Sequence, residues 1–161
     1  MRGPGSGEVR QIVRAAMAEA QRRGDRHVGT EHMLLGVLSD PVGLGPRTLG
    51  IDLELMRTAL LRLDRDALAS VGVDPDLAVP TRSRTGHRPR RMGLSSGAKQ
   101  LLHTAVVDAR ALGDREITTR HVLLALLGTE PPDHAAVLLQ ALVVDVAAAR
   151  AALLPIPTDG H

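Results

Sequence analysis

The chain contains no phenylalanine, tyrosine or tryptophan in its 161 residues, and no cysteine. The missing cysteine excludes a disulfide scaffold and thiol chemistry, and says nothing about compartment. The missing aromatics remove any platform on which nucleic-acid bases could stack. Lysine is almost absent too: Lys99 is the one lysine among 20 basic residues. The calculated pI of 10.3 therefore reflects arginine chemistry, and the formal net charge is only +2. No apolar run reaches the roughly 18 residues of a membrane span. Asp145 and Arg150 interrupt the longest candidate, and Met1–Gly7 lacks the apolar core of a signal peptide. These absences predict a soluble, cytoplasmic protein.

What is present is a large stock of aliphatic residues, 43% of the chain counted as hydrophobic. A chain of this length buries roughly 70% of its unfolded surface and needs no metal staple. Leu, Val, Ala, Ile and Met must fill the interior, and they pack well on helix faces in staggered rotamers.

The strongest signal is internal repetition. Residues Gln11–Leu38 align without a gap on Gln100–Leu127, with eleven of the 28 positions identical. The identities include Gly24-Asp25-Arg26 with Gly113-Asp114-Arg115, and His32 with His121. The match resumes at Leu49-Gly50-Ile51-Asp52-Leu53 and Leu142-Val143-Val144-Asp145-Val146, after a few extra residues around Glu130–His134 that belong in a loop.

Each copy reads as four helical pieces. Val9, Ile12, Val13, Ala16, Met17 and Ala20 share one face of a first helix, as do Leu101, Leu102, Ala105, Val106 and Ala109 in the second copy. Gly24 and Gly113 are natural left-handed caps at the ends of these helices. Val28 and Ile117 begin a short extended link, and Thr30 and Thr119 stand where the N-cap of an apolar, central second helix is expected. Asp52 and Asp145 are expected to cap the last helix of each copy. Residues 8–63 and 95–154 then form the two repeats. The segment 64–94 lies between them, and 155–161 forms a frayed tail. Within the inter-repeat segment, Asp64–Ala78 is expected to give two short helical turns. Arg82, Arg84, Arg88, Arg90 and Arg91 lie among Pro, Gly and Ser, which is linker composition.

Gly29-Thr30-Glu31-His32-Met33-Leu34-Leu35-Gly36-Val37-Leu38 resembles the GTEHLLLGL signature of the Clp N-terminal domain, also called the Clp repeat domain. Ile117-Thr118-Thr119-Arg120-His121-Val122-Leu123-Leu124 is similar to a divergent second copy. The resemblance covers roughly Glu8–Leu63 and Ser95–Leu154. It implies an all-α, pseudo-two-fold bundle of about eight helices that docks adaptors or substrates, as on ClpA- and ClpC-type unfoldases. The motor of those unfoldases has no counterpart here. No G-x-x-x-x-G-K-[ST] sequence occurs, and Lys99 lies in Gly97-Ala98-Lys99-Gln100 on an expected helix, so nothing cradles nucleotide phosphates.

In ClpC-type relatives the Glu of this signature helps bind phosphoarginine. The resemblance thus marks Gly29, Thr30 and Glu31 as a candidate ligand pocket, where a carboxylate can pair with guanidinium and helix-start amides can face the phosphoryl group. In the second copy Thr119 and Arg120 mark a degenerate pocket, because Arg120 stands where the acid would be. The family's aromatic residues are absent, with Leu94 in one of their places. Cyclic peptides that depend on those aromatics should therefore bind poorly.

Simpler readings stand beside these. Glu31 is also an ordinary first-turn acid favoured by the helix dipole. His32 and His121 are expected to be structural. His27, Glu31 and His32 lack metal-site spacing, and no metal or cofactor is expected. Asp64, Asp66, Asp74 and Asp76 read as solvated surface rather than acid–base catalysts. No nucleophile elbow accompanies Ser95 or Ser96. The expectation is a non-enzymatic protein-binding module acting as adaptor or decoy in Clp-dependent proteolysis, with the Clp ATPase, its adaptors or substrates as partners. The alternative is a basic helical nucleic-acid-associated protein using Arg82–Arg91. A fragment of a longer chain is a third possibility.

Overall fold

The computed structural model describes residues 4–76 and 92–155, which include eight helices and two two-residue strands. The run Arg82–Arg91 and the tail beyond residue 155 lie outside the described residues. The first repeat comprises α1 (Pro4–Arg23), β1 (His27–Val28), α2 (Thr30–Val37), α3 (Leu44–Leu49) and α4 (Leu53–Ser70). The second comprises β2 (Gly93–Leu94), α5 (Ser96–Ala111), α6 (Thr119–Leu127), α7 (His134–Ala141) and α8 (Val146–Leu153). α1 packs on α2 and α5 on α6. α2 and α6 also touch each other, which makes them the axis of a pseudo-two-fold bundle.

The apolar sequence of the two central helices is what places them inside. Met33, Leu34, Leu35, Val122 and Leu123 are fully buried. Each such side chain contributes about 1.5–3 kcal/mol relative to exposure. The outer helices bury one stripe each: Ile12, Ala16 and Ala20 on α1, and Leu101, Ala105 and Ala109 on α5. Val9, Val13 and Met17 line the half-buried edge of that stripe. The alanines let α1 lie close against α2. At Gly36 an added Cβ would stand 2.6 Å from the Ile12 carbonyl oxygen.

Chain ends of helices follow local chemistry. Gly24 and Gly113 take φ of +77° and +79° after α1 and α5, a region that costs glycine nothing. Asp52 accepts from Leu55 N at 2.8 Å, Asp145 from Ala148 N at 3.0 Å, and Ser95 from Ala98 N at 3.1 Å, each capping its helix. Two expectations need correction. Thr30 and Thr119 are the first helical residues, not caps; the caps are Gly29 and Thr118, one position earlier. And Asp64–Ser70 forms the last turns of α4 rather than separate turns, because the α4 helix carries on unbroken past Leu63.

The repeats are joined through the link at Val28, whose partner is the segment before α5 and not the link expected at Ile117, which forms no strand. β1 and β2 pair in parallel, His27 opposite Gly93 and Val28 opposite Leu94, and Ser95 N donates to Val28 O at 2.9 Å. Within the first repeat, Arg57 on α4 pairs with Glu54 and reaches across to the buried Glu19 of α1. Removing one partner would strand a carboxylate that is only 7% exposed.

Candidate functional site

The start of α2 is built on a buried histidine. His32, 1% exposed, sits in the first turn, and its Nδ1 accepts the Gly29 N–H at 2.9 Å. An accepting Nδ1 leaves the ring proton on Nε2, which donates to Asp25 Oδ2 at 2.7 Å. Asp25 also receives Arg23 Nε at 2.8 Å, and Arg23 Nη2 donates to Asp64 Oδ2 at 2.7 Å. Burial pushes the Asp25 carboxyl up, but the hydrogen bonds from Arg23 and then His32 outweigh it and hold the group below its usual range. Asp64, expected to be a solvated acid, is therefore an anchor on α4 for this relay.

The second repeat rebuilds the same unit. Thr118 N donates to His121 Nδ1 at 3.0 Å, and His121 Nε2 stands 2.9 Å from Asp114 Oδ2. The hydrogen bond from His121 is the main reason Asp114 too titrates below its usual range. This explains why Gly-Asp and His recur in both copies: the glycine turns the chain, the aspartate meets the histidine, and the histidine caps the next helix. Both histidines are structural, as their matching positions imply.

Gly29, Thr30 and Glu31 come together at one recess of about 520 Å³. The Glu31 side chain folds back over Gly29, where an added Cβ would lie 2.3 Å from Oε2. Its carboxylate is 15% exposed and lies 3.4 Å from His134 Nδ1. The Thr30 hydroxyl donates to Asp133 Oδ1 at 2.8 Å, and Asp133 in turn caps α7 through Ala135 N at 2.9 Å. Glu31, Glu130 and Asp133 line the recess with His27 and His134, and no Arg or Lys among the described residues does. The wall is thus acidic and suits a guanidinium.

Thr119 and Arg120 face a different recess, of about 610 Å³, that also includes Glu8, Ile12, Val37 and Arg47. There the Glu8 carboxylate takes both the Thr119 N–H, at 3.0 Å, and the Thr119 hydroxyl, at 2.9 Å. Arg120, on the wall of this recess, pairs with Asp114. In the repeat register Glu8 corresponds to Gly97, which lines the first recess with no side chain to fill it. Glu8 and Asp133 were missed by sequence reasoning. The Glu8/Gly97 difference was in the alignment, but nothing in it said that the residue faces the other repeat's helix start. Among the described residues no group of three or more His, Asp or Glu could hold a metal ion.

The model of the Clp repeat (R) N-terminal domain matches residues 5–142. The chain belongs to this family. The family is linked to Clp chaperone and protease systems. Among curated proteins, the ClpA homologue ATP-binding subunit of the Clp protease from Porphyra purpurea is 29% identical over 147 residues, 89% of this chain and 16% of its own length. Its counterpart from Trieres chinensis is 28% identical over 117 residues, 73% of this chain and 12% of its own. An uncharacterised protein of Mycobacterium tuberculosis is 31% identical over 128 residues, 78% of this chain and 43% of its own. The chain therefore spans a small part of the ClpA-type relatives. The fold matches the N-terminal domain of the chaperone ClpD from Arabidopsis thaliana with a TM-score of 0.66 at 23% identity, covering 91% of this chain and 92% of that one.

Proposed function

We propose that this Clp repeat domain is an accessory module of cytoplasmic Clp-dependent proteolysis, an adaptor or decoy that binds substrates, adaptors or the Clp ATPase. Its ligand pocket is the recess at the start of α2, formed by Gly29, Thr30 and Glu31, and its ligand is an arginine-based group, phosphoarginine on tagged proteins.

The observation that carries the reading is the placement of Glu31. Its carboxylate lies at a helix start, largely shielded from water, beside a recess with two further carboxylates and no Arg or Lys among the described residues. A guanidinium there can pair bidentately with Glu31, and charge-assisted pairing of this kind is stronger than neutral hydrogen bonding. The start of α2 supplies the complementary pole for a phosphoryl group.

The test is an amide-resolved NMR titration with phosphoarginine and, separately, arginine, repeated on Glu31→Ala. The expected result is saturable shifts confined to residues 29–35 and the neighbouring 130–134, lost in the variant. Absence of shifts at millimolar concentrations of both ligands overturns the arginine-receptor reading. Shifts with arginine alone would overturn the phosphoryl part and keep the guanidinium part.

A further inference from the structure

We infer that Arg120 is a positioning residue that replaces Arg23 in the second repeat, and that together with Glu8 it closes that repeat to ligands.

Both copies present the same problem. A carboxylate, Asp25 or Asp114, meets the Nε2 of a buried histidine and has lone pairs left to satisfy. In the first repeat a cation arrives from the end of α1, where Arg23 reaches Asp25. The corresponding position at the end of α5 is Leu112, which packs against the core and brings no charge. There the cation arrives from the start of α6 instead, where Arg120 reaches Asp114. Arg120 occupies the position of Glu31. The two repeats have therefore made linked choices: Arg23 with Glu31 in one, Leu112 with Arg120 in the other.

The pairing explains why the second copy carries no acid at its helix start. With Leu112 in place, a glutamate at position 120 would set a second carboxylate beside one that has no arginine, and like charges at such range repel. Arg120 is thus committed to Asp114 and is not a free cation awaiting an anionic ligand. The second closure is Glu8. Its carboxylate takes the N–H and hydroxyl of Thr119, and the N–H is the backbone donor a ligand would need. In the first repeat Gly97 stands in the Glu8 position, Asp133 takes the Thr30 hydroxyl alone, and Arg23 rather than the residue at 31 supplies the relay cation.

The decisive test is a double-mutant cycle that needs no ligand. Wild type, Arg120→Glu, Leu112→Arg and the double variant are unfolded in urea and followed by far-UV circular dichroism. Arg120→Glu is expected to raise the unfolding constant about tenfold, and Leu112→Arg in that background to recover at least about fivefold, within the range of direct couplings. The lost packing of Leu112 enters both arms of the cycle and cancels. Should Arg120→Glu fail to fold, Arg120→Gln completes the same cycle. Additive effects, with Leu112→Arg harming both backgrounds equally, overturn the inference.

A second arm rests on the arginine-receptor reading and is scored separately. Phosphoarginine is titrated into Glu8→Ala/Leu112→Arg/Arg120→Glu, with the first pocket as internal control. Shifts at residues 118–124 that the wild type lacks support closure. Shifts at the first pocket alone overturn it. Silence at both pockets overturns the receptor reading and the ligand closure with it, and the cycle still decides the positioning role of Arg120.

Discussion

The Asp25 carboxylate lies 2.7 Å from the buried Nε2 of His32, and the other nitrogen of that ring accepts the N–H of Gly29, the residue at which α2 begins. The contact couples the turn after α1 to the first turn of the central helix, and the second repeat reproduces it with Asp114 and His121. The Asp–His contact is common to both halves, while the adjoining residue differs: Glu31 lines a recess in one, and Arg120 pairs with Asp114 in the other.

His32→Ala is expected to destabilise the chain by about 2–4 kcal/mol. The change empties a fully enclosed site and leaves the Gly29 N–H and the Asp25 carboxylate without their partner. Urea unfolding followed by circular dichroism reads this directly. A loss below about 0.5 kcal/mol, the scale of a surface substitution, would contradict the structural role.

Acid should act through the same carboxylates. Asp25 and Asp114 titrate below their usual range in the folded chain. In the window between the folded and unfolded values the unfolded chain binds more protons, so stability rises with pH. Their contribution is fully present above the ordinary carboxylate value, about 3.9, and is lost as pH falls through the lower folded value. Asp25→Asn removes one such group. Its stability should fall less steeply than that of wild type from pH ~5 to pH ~2; parallel curves would show that the Arg23 and His32 bonds do not couple to folding.

Gly36→Ala should cost about 1–3 kcal/mol, although alanine is the better helix former. The new methyl group would meet the Ile12 carbonyl oxygen at 2.6 Å and the Ala16 nitrogen at 3.3 Å, both backbone atoms of α1. The second repeat has Ala125 at this position, so its helix pair accommodates the methyl group that the first excludes. Thermal unfolding decides the sign, and a gain in stability would show that α1 shifts freely.

Val143→Gly should stabilise, by up to about 1 kcal/mol. Val143 has φ of 54°, where a β-branched residue is strained. Its side chain is 87% exposed and contributes no packing to offset the strain. Gly50, its counterpart in the first repeat, holds φ of 69° without that penalty. The entropy that glycine loses on folding reduces the gain but does not reverse it. A lower melting temperature in Val143→Gly would mean that the exposed valine has a stabilising contact.

Much of the architecture was legible because it is local and repeated. Apolar spacing on α1 and α5, glycines at 24 and 113, and aspartates at 52 and 145 each act within one or two helical turns, and comparison of two copies removes much of the noise from such signals. The cap of α2 was misplaced by one residue because Thr30 resembles a cap in composition. The cap bond is made in the reverse direction, by the His32 ring to the backbone of Gly29. The last turns of α4 were missed because the repeat correspondence ends at residue 63 and the segment beyond it has no second copy, whereas Arg23 holds Asp64 in place from another helix.

The sequence by itself determined the helical class, the duplication, the central position of α2 and α6, and the grouping of Gly29, Thr30 and Glu31, since all of these depend on periodicity or on adjacent residues. Only the tertiary structure decided which side chains meet each helix start. That depends on Glu8 meeting Thr119 across 111 positions of chain, on Asp133 meeting Thr30 across 103, and on which arginine reaches each relay aspartate. Contacts of that range arise only when the two repeats pack against each other, and no local pattern encodes them.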